Sequence, residues 1–222
     1  MVEIELKTRI DNPEEVKKRL SGLGLYDCAY EKDDTYWVPH ERPAGPAGKS
    51  APDRDGGGLS FSSLPPAGVR VRRETNTAAE GKISQFSLIT YKIRELRAGV
   101  EVNDEREFTV SDGEVFEDLL RRLGLAPGIR KNKRGWAWLV TVPASAGPAA
   151  EIRAELSDVK RLGWFLELEI LAPEGDEKTV TPCREKLFWA LEQLEIPRGN
   201  IETRPYTEML REVRSEEGGG RS

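Results

Sequence analysis

Val2-Glu3-Ile4-Glu5-Leu6-Lys7-Thr8-Arg9 alternates without a break. Val2, Ile4 and Leu6 fall on one face, and Glu3, Glu5, Lys7 and Arg9 on the other. A period of two predicts a β-strand. The same alternation returns in Val69-Arg70-Val71-Arg72, in Ile89-Thr90-Tyr91-Lys92-Ile93, and in Glu105-x-Glu107. It returns again in Lys131-x-Lys133, Glu151-x-Arg153-x-Glu155 and Phe165-Leu166-Glu167-Leu168-Glu169. One such strand by itself reads first as an ordinary sheet with a solvated face. In a set, the bias is informative: the polar face carries acidic pairs and basic pairs, not a mixture with Ser, Thr and Gln. If the sheet closes on itself, those side chains point at one another. The apolar faces then turn outward to pack on helices.

Between the strands, Asn12-Pro13-Glu14-Glu15 opens a helix. Asn12 caps it, Pro13 takes its first position, Val16, Leu20 and Leu23 form its apolar stripe, and Gly22 and Gly24 stop it. A second helix is predicted over 113–123, capped by Ser111 or Asp112, a third over 181–194, and a short fourth over 204–214. Strands are predicted at 35–38, 68–73, 85–94, 102–110, 129–142, 149–159 and 163–171. Residues 41–66 are rich in Pro, Gly, Ala and Ser and read as a flexible insertion, not a linker, because strand patterns resume directly after them. His40 reads as a loop residue. The tail 215–222 reads as disordered, which leaves a single domain over 1–214. A shift of 100 brings Leu20, Leu23, Gly24 and Leu25 onto Leu120, Leu123, Gly124 and Leu125, and Glu5 onto Glu105. A strand–helix unit therefore occurs twice, as in a pseudo-two-fold repeat. The fold class is α+β: an eight-stranded antiparallel β-barrel with a polar interior and helices outside.

Composition narrows the function. The 222 residues carry 34 Lys and Arg against 39 Asp and Glu, a net charge of −5, which argues against a nonspecific nucleic-acid binder. No apolar run is long enough for a membrane span, and the charged N-terminus has no signal-peptide pattern. Cys28 and Cys183 are too few for a disulfide framework and read as small core hydrophobes, consistent with a cytoplasmic setting. The lone His40 excludes a Cys/His zinc cage, so any metal would be held by carboxylates, which favours Mg²⁺, Mn²⁺ or Ca²⁺.

The inward set has Glu3, Glu5, Glu105, Glu107, Glu155, Glu167 and Glu169 as acids, and Lys7, Arg70, Arg72, Lys92, Lys131 and Lys133 as bases. Seven against six, with two divalent cations, comes to roughly +3, which about balances a triphosphate. Arginine forks and lysines grip phosphate oxygens, and clustered carboxylates hold a cation that bridges to them. Arg153, in Glu151-x-Arg153-x-Glu155, reads as inward as well. Arg134 fits either face. Each of these residues also fits a plain interior salt bridge. Trp136, Trp138, Trp164 and Trp189 read as packing anchors.

The quoted residues resemble the CYTH family, also called triphosphate tunnel metalloenzymes. Glu3, Glu5 and Lys7 match its opening ExExK signature. Asp34-Thr35-Tyr36-Trp37, Val69-Arg70-Val71-Arg72, Thr90-Tyr91-Lys92, Glu105-x-Glu107, Lys131-x-Lys133 and Leu162-Gly163-Trp164-Phe165-Leu166-Glu167-Leu168-Glu169 follow in order, so that the likeness spans about residues 2–210. Tyr36-Trp37-Val38-Pro39-His40 and Ile201-Glu202-Thr203-Arg204-Pro205-Tyr206 resemble the CyaB-type, class IV adenylate cyclase branch. The resemblance implies an eight-stranded tunnel that takes ATP or another triphosphate with Mg²⁺ or Mn²⁺, and it allows a homodimer. It implies catalytic roles for Glu5, Lys7, Arg72 and Lys92. Metal would go to Glu3, Glu5, Glu105, Glu107, Glu155, Glu167 and Glu169, and phosphate to the cations above. Three positions depart from the pattern: Ser157 stands where the family often has Asp, Gly68 replaces a bulky residue, and Pro205 replaces a usual Ser. The resemblance leaves three functions open: cyclisation of ATP, hydrolysis of a triphosphate, and noncatalytic sensing of triphosphate or polyphosphate.

Overall fold

The computed structural model describes residues 2–39, 68–143, 150–173 and 175–219, with the backbone alone at Lys92 and Arg94. The insertion 41–66, His40 and residues 220–222 lie outside the described residues. In chain order the elements are β1 (Val2–Arg9), α1 (Pro13–Leu23), β2 (Leu25–Pro39), β3 (Val69–Ala78), β4 (Ile83–Arg97) and β5 (Val100–Val110). There follow α2 (Gly113–Arg122), β6 (Leu125–Val142), β7 (Ala150–Val159), β8 (Gly163–Ala172), α3 (Glu177–Gln193), one 3-10 turn at Arg198–Asn200, and α4 (Tyr206–Gly219).

The eight strands are antiparallel and close into a ring in the order β1-β5-β4-β3-β2-β6-β7-β8. Exchanging β1–β4 with β5–β8 maps this order onto itself, and α1 and α2 each follow the first strand of their half. The repeat seen at a shift of 100 is therefore a repeat of architecture.

Hydrophobic residues leave the ring outward. Ile4, Leu6, Ile152, Ala154, Leu156, Leu166 and Leu168 pack with Val16 and Leu20 of α1 and with Val180, Leu187 and Leu191 of α3. On the other side Trp37, Val71 and Ile89 pack with Leu120 of α2 and with Leu125. All these side chains are buried, so each helix closes the apolar face of the strands it covers. Trp136 and Trp164 stack outside the ring, 5.8 Å apart and 6° from parallel, with Lys17 3.4 Å above Trp136. Arg134 is exposed and faces Asp158 on this outer surface.

Several boundaries differ from the sequence reading. β2 is a strand of 15 residues, not four, and it pairs along its length with β3 and β6. α3 begins at Glu177, one turn before the predicted start, and Pro182 lies inside it. Asp176 caps α3 by accepting a hydrogen bond from the Thr179 amide. At α2 it is Asp112, not Ser111, that accepts from the Glu114 and Val115 amides. α4 runs to Gly219, so residues 215–219 of the predicted tail are helical. Pro205 offers no side-chain cap to α4, but its carbonyl accepts the Glu208 and Met209 amides.

Two glycines answer to close approach. Gly68 has φ +71°, and a Cβ there would meet the Trp37 carbonyl oxygen at 2.1 Å, which accounts for the missing bulky residue. A Cβ on Gly135 would meet the Leu156 carbonyl oxygen at 2.0 Å. At Gly22, in α1, nothing lies within 4 Å. Thus Gly135→Ala is expected to lower stability by about 1–3 kcal/mol, and Gly22→Ala to raise it by about 0.4–1 kcal/mol. Urea denaturation checks both, and equal effects at the two positions would contradict the packing described.

Candidate active site

The ring encloses a cavity of about 470 Å³, within the range of ligand-binding sites. Among the described residues its wall carries seven carboxylates and eight cations. Glu3, Glu5, Lys7, Arg70, Arg72, Glu105, Lys131, Lys133, Arg153, Glu155, Glu167 and Glu169 all reach it, as their strand faces predicted. Glu107 does not line it: its carboxylate, 39% exposed, lies 3.5 Å from Arg70 and accepts from Thr90 Oγ1. The backbone of Lys92 pairs with Glu105, and its side chain lies outside the described residues.

Two buried carboxylates organise the cations. Asp34, wholly buried, accepts two hydrogen bonds from Arg72, at 2.7 and 3.1 Å, and Lys131 Nζ stands 3.0 Å from its other side. Glu155 accepts from Lys32 Nζ at 2.7 and 3.0 Å, from Lys133 Nζ at 2.9 Å and from Arg153 Nε at 3.1 Å. Lys133 also pairs with Glu167. Arg70 donates to Thr90 Oγ1 and to Glu105. Burial alone would raise the pKa of Asp34, but Arg72 and Lys131 outweigh it and hold Asp34 well below the carboxylate range. Lys133, Lys32 and Arg153 do the same for Glu155, and Lys133 and Lys131 bring Glu167 down to about 2. Lys133 is held well above its ordinary value by Glu155 and Glu167 against the cost of burial, whereas burial pulls Lys32 down.

A second grouping is acidic. Glu5 of β1 lies directly across from Glu101 of β5 on one side and from Glu169 of β8 on the other. Like charges placed directly opposite are destabilising. Burial, then Glu155 and Glu105, push Glu169 above its ordinary pKa. Among the described residues no three acidic, His or Cys side chains already converge as a metal cage. The row offers only oxygen donors and an excess of like charge, the chemistry that a hard divalent cation satisfies with few carboxylates, waters and phosphate oxygens. Glu3, Glu5, Glu101, Glu105 and Glu169 could hold such a cation, with Glu105 also accepting from Arg70 and Glu101 3.9 Å from Lys7; Glu155 and Glu167 are engaged by lysines at hydrogen-bond distance.

Lys32, Asp34, Glu101 and Tyr206 belong to the site without having been singled out for it. Tyr206 enters from the chain segment after the 3-10 turn, with Lys7 4.5 Å and Lys131 4.9 Å from its ring centroid. Ser157 is fully buried next to Tyr30 and outside the cavity wall, so no carboxylate stands at that point.

The depressed carboxyls give the fold a pH signature. A carboxyl with a lower pKa folded than unfolded stabilises fully above its unfolded value and loses that contribution as the pH falls through its folded value. Stability is therefore expected to hold above about pH 4.5 and to fall as the pH approaches 2, where Glu167 titrates. Asp34→Asn leaves Arg72 and Lys131 facing a neutral group and is expected to cost about 3–5 kcal/mol. Urea denaturation from pH 7 down to 2 tests both, and an Asp34→Asn protein as stable as the parent would contradict the arrangement.

No known protein-family model matches the sequence. A Methanocaldococcus jannaschii protein named "Putative adenylate cyclase MJ0240" is 26% identical over 212 residues, covering 94% of this chain and 98% of that protein. The solved structure of PH1819 from Pyrococcus horikoshii matches with a TM-score of 0.66 at 23% identity, over 95% of this chain and 99% of that one. A Hippeastrum protein, described as "Putative adenylyl cyclase HpAC1" with a dominant triphosphatase activity, matches with a TM-score of 0.58 at 12% identity, over 96% of this chain and 95% of that one. The ordered ExExK, RxR, KxK and Glu167-x-Glu169 strands face one cavity in a ring of eight, and together with these full-length likenesses they point to the CYTH, or triphosphate tunnel metalloenzyme, family.

Proposed function

We propose that the protein is an adenylate cyclase of the class IV type, which binds the triphosphate of ATP in the tunnel and forms cyclic AMP and pyrophosphate. The observation that carries this reading is the cation set Lys7, Lys32, Arg70, Arg72, Lys131, Lys133 and Arg153, converging on a 470 Å³ cavity from five strands. Arg70 and Arg72 present planar forks suited to non-bridging phosphate oxygens. Lys7, Lys131 and Lys133 add point charges where negative charge builds on the leaving pyrophosphate. Glu3, Glu5, Glu101, Glu105 and Glu169 are the residues to hold Mg²⁺ or Mn²⁺. When bound, such a cation supplies charge neutralisation across the phosphates. In the reaction the ribose 3′-oxygen forms a bond to Pα, the bond from Pα to the pyrophosphate oxygen breaks, and the 3′-hydroxyl proton is released.

A second reading is a triphosphatase, in which water forms a bond to the terminal phosphorus, the bond from that phosphorus to the bridging oxygen breaks, the diphosphate leaves, and inorganic phosphate is the other product. The activity named for the Hippeastrum structure favours it. The same cations serve both readings, and they differ in which phosphorus meets the nucleophile. No described helix is long and apolar enough to cross a membrane.

The test is a product assay with ATP and with inorganic triphosphate, each with Mg²⁺ or Mn²⁺. Cyclic AMP and pyrophosphate in equal amounts are expected. Arg70→Ala and Glu5→Gln are each expected to cut the rate about 100-fold or more. Phosphate release without cyclic nucleotide, lost in the same variants, would establish the triphosphatase. Turnover of neither compound would overturn both enzymatic readings.

A further inference from the structure

β5 pairs with β1 only at Glu3, Ile4 and Glu5. Beyond that point the wall beside β1 is continued by the segment after the 3-10 turn. Thr8 bridges Ile201, the Glu202 amide donates to the Lys7 carbonyl at 2.8 Å, and Thr8 Oγ1 donates to the Asn200 carbonyl at 3.1 Å. The Glu202 carboxylate fastens this strap. It accepts from Arg9 Nε and Nη2 at 3.0 and 2.9 Å, and from the Arg204 amide and guanidinium at 2.7 to 3.1 Å. Glu202 is held down to about 2 by the hydrogen bonds from Arg204 and Arg9. The strap delivers Tyr206 to the cavity, edge-on to Phe165 at 5.1 Å.

Lys7 and Lys131 come from β1 and β6, three strands apart in the ring, are both buried, and share this one aromatic ring. Two ammonium groups so placed repel each other unless something attracts both. Lys7 Nζ donates to the Arg204 carbonyl at 2.6 Å, and Lys131 faces Asp34. The ring adds attraction for both through its π face. That contact consumes none of a lysine's three N–H donors, so it holds the charges without competing for the hydrogen bonds that phosphate oxygens accept.

We propose that Tyr206 is a positioning residue for triphosphate binding: its ring is the shared seat that holds the Lys7 and Lys131 ammonium groups at the cavity. This rests on the triphosphate reading above. The role belongs to the ring and not to the hydroxyl, which is buried without a hydrogen-bond partner.

The experiment is calorimetric titration of the full chain with inorganic triphosphate and Mg²⁺. It compares the parent, Tyr206→Phe, Tyr206→Leu, and position 206 carrying mono-, di- and trifluorinated phenylalanine. The fluorinated series keeps the shape of the ring while draining its π face, so a residue that only packs would not respond to it. Tyr206→Phe is expected to bind within about twofold of the parent, and affinity is expected to fall stepwise with fluorine to about 10-fold weaker, with Tyr206→Leu equally weak. Binding by the parent together with a flat fluorine series would overturn the seat and leave the triphosphate reading standing. No binding by the parent would overturn both. Should Tyr206→Leu not fold, the fluorinated series decides alone.

Discussion

Asp34 and Glu155 are the interactions on which the rest of this molecule depends. Each is a carboxylate taken out of water and surrounded by cations from neighbouring strands: Arg72 and Lys131 around one, Lys32, Lys133 and Arg153 around the other. Cations crowded at this density repel, and without the hubs they would swing apart or lose protons. With the hubs they stand in fixed positions around a cavity. Buried ion pairs of this kind add little net stability, because desolvation offsets most of the attraction. Their value here is preorganisation: the donors are already aimed, so a polyanion meets them without reorganising the site.

This requirement explains the inverted fold. A ring that faces its charges inward has to find its hydrophobic core elsewhere, and it does so on its outer surface, under α1 and α3 on one side and α2 on the other. The internal repeat makes this economical, since the same strand–helix unit closes each half. The price is paid in the acidic row Glu101–Glu5–Glu169, where like charges face each other across adjacent strands and burial makes ionisation of Glu169 harder. Under the proposed function, a hard divalent cation would relieve that repulsion.

Much of this was legible in the sequence because a strand betrays its faces. Glu3-x-Glu5-x-Lys7, Arg70-x-Arg72, Lys131-x-Lys133 and Glu167-x-Glu169 stand between apolar neighbours, so the period of two is plain and the inward face can be read directly. Lys32 and Asp34 escaped for the opposite reason. Their strand neighbours Glu31 and Asp33 are charged and exposed on the outer face, so both faces of β2 are polar there and the alternation vanishes. The length of β2 was lost with it. Glu101 escaped because the predicted strand began one residue after it. Tyr206 sits in a helix far along the chain, and only the folded strap brings it to Lys7. The start of α3 was placed one turn late, at 181, where the helix begins at Glu177 under the Asp176 cap. Glu107 shares its face with Glu105 but stands too near the edge of the ring to line the cavity, a distinction that alternation cannot make.

The central claim is that the charged interior is a site and not merely a lattice of internal salt bridges. The measurement that tests it most directly is calorimetric titration of the unsubstituted protein with inorganic triphosphate and Mg²⁺ at several salt concentrations. The account predicts saturable binding of one triphosphate per chain that weakens steadily as salt rises, as expected when cations grip an anion. No saturable binding at low salt would show that the cations serve only one another, and would contradict the account.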